Sequence, residues 1–258
     1  MQIHTLDPLT ERQTSMSNTM SIALSQQMAL KRNLDVIANN LANMNTTAFK
    51  SESVLFEEYL MDTQKPDGST QSISYVLDKG VNRNLTEGPQ EVTGNSLDFS
   101  IKGPGYFVIK TDAGERYTRN GHFTLSPEGQ LVTKEGYAVL DKGGSPINFT
   151  PQDGELAVAE DGTISTQLGQ KGQLKVVSFE NESAMSKEGN SLLSTSQSAT
   201  TVDNPMVIQG MIENSNVAPI IEMTKMISVL RTYQSTSELI KASQNMNTEA
   251  IRTLSGTN

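Results

Sequence analysis

"DVIANNLANMNTTAFK", residues 35–50, places two demands on one segment. Its apolar residues Ile37, Leu41 and Met44, with Leu34 just upstream, recur at heptad spacing, which predicts a helix with one apolar stripe. Its asparagines, Asn39, Asn40, Asn43 and Asn45, sit poorly in that helix, because an amide competes for nearby backbone groups and favours turns and caps. A helix that keeps so many amides beside an apolar stripe has a polar side that must also fit something. The Thr-Thr-Ala-Phe-Lys run that follows reads as its exit.

Working outward, the stripe continues upstream through Leu30, Gln27, Ala23 and Met20, with only Gln27 polar. At the other end of the chain Met223, Met226, Leu230, Tyr233, Ser237, Ile240, Gln244, Asn247, Ile251 and Leu254 follow a second, more ragged seam. Pro219 suits the first turn of that helix, Ser215 or Asn216 is its candidate cap, and Gly256 is its stop. A two-in-seven stripe is too narrow for an ordinary core-facing helix and suits helix-on-helix packing. The two seams either pair within one chain or are completed by neighbouring subunits, leaving the ends disordered in the monomer. Periodicity alone leaves both arrangements open.

Between the ends the pattern changes to short β-rich runs, "LDFSI", "YFVIK", "HFTL", "QLVT", "YAVL", "LAVAE", "TISTQL" and "QLKVVSF". Ala113-Gly114, Pro127-Glu128-Gly129, Lys134-Glu135-Gly136, Asp153-Gly154 and Asp161-Gly162 supply the turns between them. The pattern predicts an antiparallel β domain inserted between helical ends. The fold class expected is therefore α+β, with long N- and C-terminal helices forming a coiled-coil-like domain. The division read from the sequence has five parts. Residues 1–19 form an extension open to disorder, and 20–60 hold the first helix and its exit. Residues 61–80 are a polar linker or extended arm, 81–205 the β-rich domain, and 206–258 the C-terminal segment and helix. Within the β-rich part, the Ser/Thr/Asn-rich stretch 181–205 reads as a long surface loop.

Composition excludes several functions. A net charge of −9 argues against nucleic acid or anionic lipid as the main partner. The chain has no cysteine, so disulfides and thiolate metal sites are closed to it. No apolar run approaches the roughly 20 residues of a membrane-spanning helix. The opening residues lack the basic start and apolar stretch of a secretory signal.

Catalysis finds little support. Of the two histidines, His4 lies in the extension and His122 in an expected strand, where it reads as a packing or surface residue. There is no Ser-x-x-Lys pair. Gly103-Pro104-Gly105 lacks the third glycine of a dinucleotide loop and precedes a strand, so it reads as a turn. Glu57-Glu58 and Glu160-Asp161 read as solvated charge. No enzyme activity, cofactor or metal is expected.

Three motifs carry a resemblance. "ANNLANMNTTAFK" at 38–50 and "ENSNVAPIIEMTKMISVLRTYQ" at 213–234 resemble the terminal signatures of bacterial flagellar rod and hook proteins. The stretch from "LDFSIKGPGYFVIK" to "GYAVL", with its Tyr-Thr-Arg-x-Gly run at 117–121, resembles the start of their β domain. The likeness runs from about Met20 to Leu254 and is strongest to the proximal-rod members, with distal-rod members as the near alternative. One departure is Ala48, where the family usually has glycine.

The resemblance implies a structural subunit of the basal-body rod. Its terminal helices would form an inner tube only on assembly, and it would transmit torque for motility. It implies partners among other rod proteins, copies of itself and the flagellar export apparatus. It also implies a location spanning the periplasm, reached without a cleaved signal or membrane insertion. The assembly interface it points to comprises Leu34, Ile37, Asn39, Asn40, Leu41, Asn43 and Met44 from the first signature. From the second come Ser215, Asn216, Val217, Met223, Met226, Leu230, Tyr233 and Ile240. Asn39, Asn40 and Asn43 are expected to face subunits, and Asn45 to Thr47 to end the helix. The reading from another class is a cell-wall or carbohydrate-binding β module whose helices merely dimerise.

Overall fold

The structure is a computed structural model that describes residues 8–64, 70–189, 191–254 and 256. His4 and residues 65–69 of the expected linker lie outside the described residues, as do the side chains of Ile251 and Leu254. The chain opens with helix α1 (Pro8–Ala42), followed by strands β1 (Glu52–Gln64) and β2 (Thr70–Arg83). Next come β3 (Gln90–Val92), β4 (Phe99–Lys102), β5 (Tyr106–Thr111), β6 (Gly114–Thr118), β7 (Phe123–Leu125), β8 (Leu131–Thr133) and β9 (Ala138–Val139). They are followed by β10 (Ala157–Val158), β11 (Thr163–Thr166), β12 (Gly169–Gln173), β13 (Val176–Ser178), β14 (Ser186–Lys187), β15 (Leu193–Ser194) and β16 (Thr200–Thr201). The chain closes with β17 (Met206–Gln209), β18 (Met211–Glu213) and helix α2 (Pro219–Leu254).

This overturns the expected fold class. Among the described residues two α-helices stand against eighteen strands, so the chain is mostly β. It is not a coiled-coil-like helical domain with a β insertion. The heptad stripes were a true signal of helix but a poor guide to architecture, because the helices share their compact unit with a long β-hairpin. That unit comprises residues up to 41, 52–82 and 218 onward, and the other comprises 42–51 and 83–217.

In the first unit the hairpin β1–β2 occupies the stretch expected as a linker or extended arm. Along α1 the expected stripe is the less exposed face. Met20, Ala23, Gln27, Leu30, Leu34 and Leu41 are half-buried and Ile37 is buried. Along α2 the expected seam is rotated by about one residue. The less exposed line runs through Glu222, Met226, Val229, Tyr233, Thr236, Ile240, Ser243 and Asn247, whereas Met223, Leu230 and Gln244 are exposed. Polar residues can hold that line where their bonds are met: Thr236 bonds the Thr232 carbonyl one turn back.

The second unit is built around β5, whose alternation serves two apolar layers. Phe107 and Ile109 point into a cluster with Phe99, Phe123, Leu131 and Ile164, and Tyr106 and Val108 into another with Tyr117, Val177 and Phe179. β5 pairs with β6, β9 and β13, all antiparallel, so both of its edges are taken, while the two apolar layers cover its faces. Fully burying each such side chain contributes roughly 1.5–3 kcal/mol. The stretch 181–205, expected as a loop, carries β14, β15 and β16, because it finds edges to pair with on β6 and β13.

Candidate functional site

The two signatures meet their partners within the chain. Past the end of α1, Asn43 accepts the Thr46 N–H on its carbonyl, and Ala48 then turns the chain at φ +60°. That left-handed conformation is disfavoured for any residue with a Cβ. It is held because the Ala48 N–H reaches the carbonyl of Glu213 at 2.7 Å. The chain leaves this turn extended, with the Phe49 carbonyl accepting the Asn216 N–H.

Glu213 is the centre of the junction. Its carboxylate is 1% exposed yet fully partnered. Lys50 Nζ lies 2.5 Å from Oε1, the Gly88 N–H donates to the same oxygen at 2.9 Å, and Arg119 donates to Oε2 at 3.1 Å. Lys50 also donates to the Thr86 carbonyl, and Arg119 to the carbonyls of Ile101 and Gly103. Burial pushes the Lys50 pKa down, against the upward pull of the Glu213 carboxylate. Gly88 is glycine for close approach: a Cβ there would fall 1.9 Å from the Asn214 carbonyl oxygen. Asn216 completes the stitching, accepting the Ser51 N–H and donating to the carbonyls of Asn84 and Thr86.

A second knot lies in the helical unit. Asn40, 1% exposed, behaves as a partner strand to β1: it accepts the Glu52 N–H at 2.9 Å and donates to the Glu52 carbonyl at 2.7 Å. The same amide nitrogen donates to Glu222 of α2 at 3.0 Å, and Glu222 also takes Lys225. Asn40, expected to face subunits, is thus turned into its own chain. Asn39 is exposed, and Asn43 and Met44 are half-buried. The expected caps do other work: Ser215 Oγ accepts the Val217 N–H before α2 begins, and Asn216 serves the junction. Val217 is buried. His122 sits beside Asp98, with Nδ1 2.6 Å from the carboxylate. Lys50, Gly88, Arg119 and Glu213 were not singled out from the sequence. The available signal was chemical: Lys50, Arg119 and Glu213 are charged residues set within apolar strand-like or turn segments.

Three family models cover this arrangement in order. One described as "Flagella basal body rod protein" matches residues 20–50, and one described as "Flagellar hook protein FlgE/F/G D1 domain" matches 100–166. The third, "Flagellar basal body rod FlgEFG protein C-terminal", matches 208–253. The flagellar basal-body rod protein FlgF of Caulobacter vibrioides is 39% identical over 242 residues, spanning 93% of this chain and 98% of that protein.

The chain belongs to the flagellar basal-body rod protein family. FlgF of Rhizobium meliloti is 37% identical over 93% of this chain and 99% of its own length. FlgG of Bacillus subtilis is 31% identical over 92% of this chain and 98% of its own length. The likeness favours a FlgF-like rod protein over a FlgG-like one, and the chain is a structural component of the flagellar basal body, serving motility. Among the described residues no helix is long and apolar enough to cross a membrane.

Proposed function

We propose that this rod subunit sits in the proximal rod and assembles with copies of itself and with other rod proteins through its terminal helices. It transmits torque through those contacts. Leu34, Asn39, Leu41, Asn43 and Met44 from the first signature, and Met223, Met226, Leu230, Tyr233 and Ile240 from α2, are the residues we assign to subunit contacts; Ile37, buried within its own chain, backs them from behind. Asn40 and the Ser215–Val217 segment are bonded within their own chain and are left out of that set. The supporting observation is the exposure of apolar side chains on α2: Met223 and Leu230 remain at least 40% exposed on a helix that buries other positions. Such a line in one chain is what a polymer contact removes from water. The subunit reaches its place across the periplasm through the flagellar export apparatus, and it performs no catalysis.

The test is in-situ localisation in isolated basal bodies. Epitope-tagged chain should appear at the base of the rod, and its deletion should abolish swimming and leave rods unbuilt. A tag at the distal rod, or swimming cells without the gene, would overturn the reading.

A further inference from the structure

The hairpin is the least self-sufficient part of the helical unit. In β1 apolar residues come in adjacent pairs, Leu55-Phe56 and Leu60-Met61, so successive side chains place apolar surface on both faces of the ribbon. Leu55, Phe56, Tyr59, Leu60 and Met61 are all more than 40% exposed. The two faces can be told apart. Ser74 donates to Glu58, which puts both on one face, and Asp78, farther along the same side of β2, pairs with Arg32 of α1 at 3.5 Å. At Asp78 that face meets the chain's own helix. Leu55, Tyr59 and Met61 turn away from it, beside the Glu57–Lys79 pair.

α2 presents a second exposed apolar surface. Ile220, Met223, Ile227 and Leu230, at three- and four-residue steps, form a stripe that is 81%, 45%, 53% and 40% exposed. The two surfaces match in extent. Leu55 to Met61 spans roughly 20 Å of strand, and Ile220 to Leu230 roughly 15 Å of helix. They also match in charge. The hairpin is fringed by exposed Glu57, Glu58, Asp62 and Asp78 against Lys79, whereas the exposed charges on α2 before Tyr233 are Lys225 and Arg231.

We propose that the outward face of the hairpin, carrying Leu55, Tyr59 and Met61, docks on the Ile220–Leu230 stripe of α2 in a second copy of this chain. The contact joins two different patches, so it is heterologous and leaves a free hairpin and a free stripe at its ends. Repeated head to tail, it propagates along an assembly, which rests on the rod reading above and names the surfaces that carry it.

The chain has no cysteine, so engineered ones are unambiguous. Cells would express two tagged chains of different size, one Tyr59→Cys and the other Ile227→Cys, and isolated basal bodies would be treated with a short thiol cross-linker. A heterodimer in several-fold excess over either homodimer is the expected result. Homodimers alone, or no cross-link in basal bodies that contain both chains, would overturn the docking while leaving the rod reading intact. Absence of the unsubstituted chain from basal bodies would instead defeat the rod reading itself. Should a cysteine chain fail to incorporate, charge reversal decides. Glu57→Arg should reduce incorporation, and adding Arg231→Glu to the same chain should restore it; failure to restore would count against the pairing.

Discussion

The β unit and the helical unit handle their apolar residues in opposite ways. In the first, Phe99, Phe107, Ile109, Leu131 and Ile164 are completely covered within one chain. In the second, Leu60, Ile220, Ile227 and Leu239 stay more than half exposed. The polar knots follow the same division. Glu213 is enclosed by two cations and a backbone N–H, while Glu222 is held by one amide and by Lys225, whose side chain is 56% exposed. A unit that buries its own apolar surface needs no neighbour to cover it; one that leaves it in water has a reason to find one. The comparison teaches that folding and assembly are separable in this rod subunit and can be attacked one at a time.

The largest effect should come from attacking assembly alone. Leu230→Asp adds a carboxylate to the exposed stripe, where it stays hydrated in the free chain and becomes buried only on docking. Stability of the free subunit should move by no more than about 0.5 kcal/mol, while rod incorporation and swimming are lost. Denaturant melts, basal-body blots and a motility plate read the three quantities. Lys241→Asp, at an exposed position of α2 beyond the stripe, should be milder in all of them. Swimming cells with normal incorporation of Leu230→Asp would erase the distinction between the units.

Attacking folding should give the reverse pattern. Glu213→Ala strips the partner from two buried cations, Lys50 and Arg119, and should cost about 3–5 kcal/mol. Substituting all three residues by apolar ones should recover part of the loss, because the penalty lies in charge left unpaired. A melting temperature unchanged by Glu213→Ala would show that the junction is ornamental. Gly105→Val is the next step down. Gly105 sits at φ +146°, and a Cβ there would lie 2.7 Å from Val176 Cγ1. The loss should be about 1–3 kcal/mol in the same melts, and a wild-type curve would refute it.

How much of this could be read beforehand depends on the range of the interaction. Strands β4, β5, β7 to β11 and β13 were legible because turn residues bound them, such as Gly129 at φ +83° and Gly162 at φ +81°, whereas β14 to β16 lie in a stretch that reads as loop. The stripe on α1 was legible because helical spacing is local. The partners of Asn40 were not, since Glu52 and Glu222 lie 12 and 182 positions away. Lys50 and Glu213 are 163 apart. A local pattern can say that an amide must fit something, but not what. The hairpin was missed for a different reason. A ribbon apolar on both faces lacks the in-out alternation that announces a strand, and the polar sequence after β1 reads as linker. The rotated seam on α2 has the same origin: polar Glu222 and Thr236 occupy covered positions that an apolar count skips.

The smallest effect tests whether the junction holds its backbone under strain. Ala48 occupies φ +60° with its N–H bonded to Glu213, a conformation that disfavours alanine by roughly 1–2 kcal/mol relative to a right-handed one. Ala48→Gly relieves that strain but makes the unfolded chain more flexible, which takes back roughly 0.4–1 kcal/mol. The difference should leave the variant more stable by up to about 1.5 kcal/mol. The gain should appear in the β unit, where Ala48 belongs, and rod incorporation should be unchanged. Hydrogen exchange can localise it, with slower exchange at Ala48 and at the Gly88 amide, both of which donate to Glu213. A destabilised Ala48→Gly would mean that the Glu213 junction relieves the strain by itself, and that alanine at this turn carries no penalty left to remove.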